Sequence, residues 1–83
     1  MFKLLISKRA SNALKKLPRE HQRTLIAALG DIEEDPYAGK PLERNLFGRL
    51  SFQVWVYRIV YKVDEKDKKI LVLRVGNRSK VYN

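Results

Sequence analysis

The spacing of the apolar residues changes partway along this chain, and that change most restricts the folds open to it. In the first half, apolar side chains recur every three or four residues, which is the repeat of an amphipathic helix. From Leu46 onward they alternate with polar side chains, which is the repeat of a half-buried strand. Because 83 residues suffice for only one small core, we expect both halves to pack together in a single domain over residues 1–83.

The first half predicts one strand and two helices. Phe2 to Ile6 is a short apolar run typical of a strand, and Ser7 is suited to cap the helix that follows. Pro18 ends this helix, and a second is predicted from about Arg19 to Glu33, before a loop over residues 36–41. So few residues join the helices that an antiparallel helical hairpin is expected. The residues expected to face the core are Ala10, Ala13, Leu14 and Leu17 on the first helix and Leu25, Ile26, Leu29 and Ile32 on the second.

The second half predicts three antiparallel strands, joined by a two-residue turn at Trp55-Val56 and a five-residue turn over residues 64–68. Neither Trp55 nor Val56 is a common turn residue, so a bulged or longer connection is the alternative. The predicted cross-strand pairs are Leu50–Tyr61, Phe52–Ile59 and Val54–Tyr57 in the first hairpin, and Tyr61–Leu71, Ile59–Leu73, Tyr57–Val75 and Arg58–Arg74 in the second. We therefore predict an α+β fold, in which the N-terminal strand joins one edge of a three-stranded antiparallel sheet and the two helices cover its apolar face.

The net charge of +9 is concentrated in the second half. Residues 1–37 carry seven basic and five acidic side chains, a net of +2, whereas residues 38–83 carry eleven basic and four acidic ones, a net of +7. A positive field confined to one half is expected of a protein that binds phosphate groups or meets an acidic partner. The simpler interpretation is that the lysines and arginines only maintain solubility.

The composition excludes several kinds of chemistry. Without cysteine, the chain has no disulfide scaffold, no cysteine-based zinc site and no thiol nucleophile. The one histidine, His21, has no carboxylate or second histidine at metal-binding spacing and is predicted to lie on the surface without a catalytic role. No apolar stretch approaches the ~18 residues that span a bilayer, and the N-terminal run is too short for a signal peptide, so a cytoplasmic location without membrane contact is expected.

The predicted pair Arg58–Arg74 suggests an anion site. Like charges opposed on a sheet repel, and guanidinium groups suit phosphate oxygens. The alternative is that both side chains extend into water. After Gly76, Arg78 and Lys80 add positive charge, and Tyr82 offers a ring for stacking and a phenolic proton, unless it only anchors the terminus. The aromatic residues Trp55 and Tyr57 are expected to pack in the core or against a turn rather than to bind a base.

Three ordered segments carry a resemblance to a known family. They are LFGRLS at residues 46–51, YRIVYKV at 57–63 and VLRVGNR at 72–78, with Val81-Tyr82 at the end. Together they closely resemble the RelE/ParE toxin superfamily, whose order of one strand, two helices and three strands also matches, so the resemblance covers essentially the whole chain. RelE-type members are ribosome-dependent mRNA endonucleases neutralised by a cognate antitoxin, and ParE-type members poison DNA gyrase.

The resemblance implies an active site. Arg58, Arg78 and Tyr82 match the positions that RelE-type toxins use at the scissile phosphate, and the surrounding basic residues expected to bind RNA are Arg49, Lys62, Arg74 and Lys80. The implied reaction is attack of a ribose 2′-OH on the adjacent phosphorus, with no metal and no cofactor.

The sequence departs from the family at the proton carriers. RelE-type sites commonly add lysines, or a carboxylate and a histidine, whereas the strand before Arg58 offers Arg49, Ser51 and Gln53 on the matching face. Asn77 stands where many relatives have histidine. Arginine is a poor base because its guanidinium group stays protonated at any working pH. The expected proton acceptor is therefore Tyr82, Lys80 or a group supplied by the ribosome.

Three functions remain open from the sequence. The leading one is a toxin endonuclease that cuts mRNA on the ribosome and forms a hetero-oligomer with an acidic antitoxin. The second is a ParE-like inhibitor of gyrase, and the third is a decayed toxin that only binds RNA or antitoxin. The antitoxin is expected to cover the basic sheet face, where the predicted pairing places an apolar stripe of Val60, Ile70 and Val72 between the arginines. A C-terminal segment folded back over this stripe is the alternative.

Overall fold

Two helices lie on one face of a five-stranded mixed sheet, which confirms the predicted α+β class. The computed structural model describes residues 2–42 and 48–79. In chain order its elements are β1 (Lys3–Ile6), α1 (Lys8–Lys15), α2 (Arg19–Glu34), β2 (Lys40–Pro41), β3 (Arg49–Val54), β4 (Tyr57–Asp64) and β5 (Lys69–Asn77). The strand order is β1-β5-β4-β3-β2, with β1 parallel to β5 and the other neighbours antiparallel. The short strand β2 lies within the segment predicted to be a loop. Neither described helix is long and apolar enough to cross a membrane.

The helices begin where the sequence predicts and bury nearly the predicted residues. The Ser7 hydroxyl accepts the backbone N–H of Ala10 at 3.0 Å, which is the expected N-cap of α1. On α2, Leu25, Leu29 and Ile32 are buried as predicted. The prediction for Ile26 is wrong, because its side chain is 56% exposed. One residue along a helix turns the side chain by about 100°, so Ala28 faces the core with Leu25 and Ile26 does not.

The hairpin of β3 and β4 has the predicted register at every position. Leu50 pairs with Tyr61, Phe52 with Ile59 and Val54 with Tyr57, across the two-residue turn Trp55-Val56. Trp55 adopts a positive φ of 53° to close this turn. Positive φ at the first turn residue is the pattern of a type II′ turn, where glycine is usual. The alternation of apolar residues therefore determines the register of this hairpin. The turn then places Trp55 at a position where its positive φ is unfavourable.

The predicted register of β4 and β5 is wrong. The turn between them has four residues, since Asp64 is still paired with Lys69, and Lys68 closes it with a φ of 54°. A β-bulge then follows, because Tyr61 pairs with Val72 while Val60 pairs with Arg74. The shorter turn shifts the pairing by one residue, which reverses the side chains of β5 that face the helices. The bulge shifts the pairing by one more residue and reverses them again.

Ser7, the residue between β1 and α1, stabilises the bulge. Its backbone N–H donates to the carbonyl of Val72 at 2.9 Å, and its hydroxyl donates to the carbonyl of Leu73, the extra residue, at 3.0 Å. The same hydroxyl also caps α1, so one side chain satisfies both a helix N–H and a bulge carbonyl. As a consequence Ile70, Val72 and Val75 are all buried in the core.

Tyr61 fixes the segment between α2 and β3. It is fully buried, its hydroxyl donates to the carbonyl of Pro36 at 2.8 Å, and it accepts the N–H of Gly39 at 3.0 Å. A Cβ at Gly39 would lie 2.6 Å from this hydroxyl, so a larger residue does not fit there. Burial raises the pKa of Tyr61 above its ordinary value, and the hydrogen bond from Gly39 only partly offsets this. The hydroxyl therefore stays protonated and holds Lys40 at its place in β2.

Replacing Tyr61 with phenylalanine should lower the free energy of unfolding by about 1–3 kcal/mol, because the Pro36 carbonyl and the Gly39 N–H lose a buried partner. Urea denaturation of the purified chain measures this change. Tyr37→Phe is the matched control, since its hydroxyl donates to Glu65 at an exposed position, and it should change stability little. Equal stability of Tyr61→Phe and the wild type would contradict the assignment.

Candidate functional site

The sheet face turned away from the helices, here called the outer face, carries most of the basic residues predicted to bind RNA. Strand alternation puts Leu50 and Phe52 toward the core and their neighbours Arg49, Ser51 and Gln53 on the outer face. Arg49 lies directly opposite Lys62, as predicted. Two cations paired across a sheet repel one another, and an anion bound between them would relieve that repulsion.

The predicted direct opposition of Arg58 and Arg74 is wrong. Arg58 lies opposite Gly76, and Arg74 lies opposite Val60, because of the shorter turn and the bulge. The two arginines remain on the outer face of adjacent strands as diagonal neighbours, which are about 7–8 Å apart at the backbone. Since Gly76 has no side chain, the space across from Arg58 is open for its long side chain.

Arg58 reaches over this space to the backbone of Arg78. Its Nη1 donates to the Arg78 carbonyl at 3.0 Å, and its Nη2 lies 3.4 Å from Oε1 of Gln53 as a second donor. Arg78 in turn donates its N–H to the carbonyl of Val56 at 2.9 Å. These bonds bring the strand arginine, the arginine after β5 and the β3–β4 turn together at one end of the sheet.

Asn77 shapes the turn that carries Arg78. Its Oδ1 accepts the backbone N–H of Ser79 at 3.0 Å and the Ser79 hydroxyl at 2.7 Å. A side chain that accepts from the residue two positions later forms an Asx turn. Asn77 is thus placed to orient the exposed Arg78.

Lys40 is a site residue that the sequence reasoning missed. It pairs with Ser51 across β2 and β3, and it lines a cavity of about 460 Å³ together with Arg58. The remaining lining residues are Ala38, Ser51, Phe52 and Gln53. A cavity of this size accommodates a small ligand, and its polar wall presents an ammonium and a guanidinium group. The sequence does not indicate that Lys40 belongs to the site, because a two-residue strand is too short to show the alternation of apolar and polar residues.

Two predicted site residues, Lys80 and Tyr82, lie outside the described residues, as do Leu46 and Phe47 of the first family segment and Val81 of the last. Their roles remain predictions from the sequence. Among the predicted residues that are described, Arg58 and Arg78 are brought together directly, and Arg74 is diagonal to Arg58 on the outer face. The pair Arg49 and Lys62 lies on the same face, four residues further along β4.

His21 is not the surface residue that was predicted. It is half-buried, and its Nδ1 lies 2.6 Å from the hydroxyl of Tyr57. Its ring also contacts Trp55, with centroids 4.8 Å apart and planes at 89°. The position was detectable, since His21 precedes the buried Leu25 by four residues and so lies on the same helical face.

The outer face carries two half-buried leucines, but none of the residues of the predicted apolar stripe, Val60, Ile70 and Val72, is exposed there. Ile70 and Val72 are in the core, for the reasons of register given above. Leu71 takes their place, because it pairs with Lys62 on β4 and with Leu5 on β1. Val60 lies on this face but is only 3% exposed, so we call Leu5 and Leu71 the outer apolar patch. Leu5 and Leu71 are half-buried, and basic side chains flank them.

Comparison with known proteins identifies clear relatives. Residues 4–82 match the family model described as the ParE toxin of type II toxin–antitoxin systems. The chain is 35% identical over 75 residues to Toxin RelG of Mycobacterium tuberculosis, covering 88% of this chain and 86% of that protein.

Two solved structures share the fold over nearly the whole chain. A chain of the toxin–antitoxin complex RelBE2 from Mycobacterium tuberculosis aligns with a TM-score of 0.86 at 32% identity, covering 93% of this chain and 98% of that one. The isolated RelE toxin of E. coli aligns with a TM-score of 0.79 at 26% identity, covering 99% of this chain and 92% of that one.

Proposed function

Since the chain belongs to the RelE/ParE superfamily of toxins from type II toxin–antitoxin systems, we propose that it cleaves mRNA on the ribosome as a metal-independent endoribonuclease. The observation that carries the proposal is the hydrogen bond from Arg58 to the carbonyl of Arg78, which joins the two arginines that match the RelE-type site. The alternative function is inhibition of gyrase, and evidence for it would replace this proposal.

The proposed reaction is a transfer within the RNA backbone. The ribose 2′-oxygen forms a bond to the adjacent phosphorus, and the bond from phosphorus to the 5′-oxygen of the next nucleotide breaks. The proton of the 2′-OH passes to a base, and the departing 5′-oxygen gains a proton. DNA is not a substrate, because it lacks the 2′-OH.

Arg58 and Arg78 would stabilise the charge that develops on the phosphate oxygens. Guanidinium groups remain charged at any working pH and offer paired N–H donors, and preorganised donors stabilise a transition state without reorganising. Lys40, which lines the same cavity as Arg58, would contact a neighbouring phosphate. Tyr82, Lys80 or a ribosomal group would exchange the protons, because arginine is too weak an acid and base for that role.

Induced expression followed by mapping of mRNA 5′ ends tests the proposal. We expect translation to stop and new 5′ ends to occur only within translated mRNA. A supercoiling assay run on the same cells would detect a gyrase inhibitor. Intact mRNA together with cleaved DNA would move the assignment to gyrase inhibition. Tyr82→Phe removes only the hydroxyl, so a large loss of cleavage would indicate proton transfer by the phenol and a small loss would indicate that only its ring matters.

We further propose that an acidic antitoxin segment binds the outer face. Its apolar residues would cover the outer apolar patch, and its carboxylates would meet Arg49, Lys62 and Arg74 around it. RelBE2 of Mycobacterium tuberculosis is described as a toxin–antitoxin complex, which supports a hetero-oligomer for this chain. A bound segment at this face would also cover Arg58 and so block access to RNA.

Leu71→Glu should weaken antitoxin binding by at least about 10-fold, since it adds a like charge to the patch that an acidic segment would cover. Titration of the labelled toxin with its antitoxin measures the change. The matched control is Ile26→Glu, which makes the same kind of substitution on the exposed face of α2, where Ile26 is 56% exposed. A loss of binding with Ile26→Glu but not with Leu71→Glu would place the antitoxin on the helices.

A further inference from the structure

The largest aromatic side chain at the β3–β4 turn is exposed. Trp55 was expected to pack in the core or against the turn, but 59% of its surface is accessible to solvent. Its backbone also adopts a left-handed conformation, with a φ of 53°, that side chains other than glycine and asparagine rarely occupy. The strand register accounts for the turn conformation, but it does not account for a large exposed indole where glycine is usual.

Two neighbours hold the indole in place without stacking on it. The centroid of His21 lies 4.8 Å from that of Trp55 at 89°, and the centroid of Tyr57 lies 6.0 Å away at 73°. His21 and Tyr57 are themselves joined by the 2.6 Å hydrogen bond. Both contacts to Trp55 are nearly perpendicular, and 59% of the residue's surface stays exposed, so part of the indole remains open to a stacked base. The cluster therefore presents a preorganised aromatic surface to solvent.

The turn that bears this aromatic surface adjoins the two site arginines through its backbone. Val56, the next residue after Trp55, accepts the N–H of Arg78 at 2.9 Å, and Arg58 donates to the carbonyl of the same Arg78 at 3.0 Å. Two hydrogen bonds thus connect the turn bearing the indole to both guanidinium-bearing residues. The indole contacts His21 of α2 and the core residue Tyr57, whereas Arg58 lies on the outer face. An RNA strand that passes around the turn could therefore place one base on the ring and a neighbouring phosphate at the arginines.

We propose that Trp55 is a stacking platform for an unpaired nucleobase of the RNA bound at Arg58 and Arg78. The proposal rests on the proposed RNA-cleaving function and adds a base-binding subsite to it. An RNA base is favoured over an acidic peptide because the exposed ring is flat and rigidly held, and every base has a face that stacks on an aromatic side chain. A contact of this type tolerates any sequence, and the base could belong to mRNA or to ribosomal RNA.

The chain offers a direct readout, because Trp55 is its only tryptophan. We expect a short oligoadenylate to quench the fluorescence of the full-length toxin at low salt. An abasic oligonucleotide of the same length has the phosphates without the bases and should bind without quenching. Trp55→Gly should weaken oligoadenylate binding by about 5- to 150-fold, the range expected for losing one stacked base, while leaving binding of the abasic strand unchanged.

The variants are chosen so that folding does not obscure the result. Glycine adopts the positive φ of residue 55 without strain, and circular dichroism should show an intact fold. Trp55→Tyr keeps an aromatic ring and should restore most of the affinity. The matched control is Tyr37→Leu, which removes a comparably exposed ring, at 56%, next to Glu65 at the far end of β4; it should leave binding unchanged.

Specific outcomes would overturn the inference. They are absence of quenching by oligoadenylate, equal affinity of Trp55→Gly and the wild type, or fluorescence that changes with the antitoxin but not with RNA. The last result would make the indole a protein contact. If ribosomal cleavage persists at full efficiency in Trp55→Gly, the platform fails while the proposed function stands, whereas an absence of cleavage by the wild type defeats the function itself.

Assays on ribosomes can distinguish whether the stacked base belongs to mRNA or to ribosomal RNA. If the base belongs to mRNA, Trp55→Gly should raise the mRNA concentration needed for half-maximal cleavage on ribosomes with a vacant decoding site. If it belongs to ribosomal RNA, the variant should instead weaken binding of the toxin to empty ribosomes. Either result supports stacking, and wild-type behaviour in both assays contradicts it.

Discussion

Arg58→Ala should reduce the rate of mRNA cleavage on ribosomes by about 10²-fold or more, the loss that follows removal of one preorganised donor to a developing anion. Two features make the effect large. Arg58 lines the cavity together with Lys40, and its Nη1 also donates to the carbonyl of Arg78. The substitution therefore removes one phosphate ligand and releases a constraint on the second. Single-turnover cleavage of a defined mRNA on purified ribosomes measures the rate.

Arg74→Ala provides the matched control for charge. Arg74 is another arginine of the outer face, diagonal to Arg58, and its removal changes the net charge by the same amount. It should slow cleavage by less than about 10-fold, mainly through weaker attraction of the RNA and with a reduced dependence on salt. Equal losses in the two variants would mean that bulk charge, and not the position of Arg58, determines the activity.

The first hairpin could be predicted from sequence to the residue, whereas the second could not. In β3 and β4 every large apolar side chain falls on alternate positions, so a shift by one residue would move all of them into water. This constraint is strong enough to impose a positive φ on Trp55. It also explains why Arg49, Lys62 and Arg58 were assigned to the correct face.

The register of β5 depended on interactions that the sequence does not display. Both faces of β5 are partly apolar, since Ile70 and Val72 alternate with Leu71 and Leu73, so its pattern fits either orientation. The turn length and the bulge decide between them. The bulge in turn depends on Ser7, which is more than sixty residues away in sequence and bonds to the Leu73 carbonyl. Such a long-range side-chain contact leaves no periodic signal.

The candidate site was predictable in its residue types but not in its connections. Alternation assigned Arg58 to the outer face, and the family resemblance added Arg78. Their contact runs through a main-chain carbonyl and over Gly76, which no pairing rule anticipates. Lys40 enters the cavity because Tyr61 binds both Pro36 and Gly39, and that contact required the folded chain.

The contact between Arg58 and the Arg78 carbonyl predicts that the contributions of the two arginines to the cleavage rate are coupled. Arg78→Ala removes a guanidinium group but keeps the carbonyl that Arg58 binds, so Arg58 should remain in place. Arg58→Ala leaves that carbonyl without its guanidinium donor, and Arg78 is then held mainly by its N–H bond to Val56. Arg78 should therefore contribute less when Arg58 is absent.

A double-mutant cycle makes this expectation measurable. In the wild-type background, Arg78→Ala should slow single-turnover cleavage by about 10²-fold. In the Arg58→Ala background, the same substitution should slow it by less than about 10-fold, because residues that act as a unit are not additive. Arg74→Ala, which does not share this contact, should have the same effect in both backgrounds. If the losses from Arg58→Ala and Arg78→Ala simply multiply in the double variant, the two arginines bind phosphate independently, and the hydrogen bond between them has no part in positioning the site.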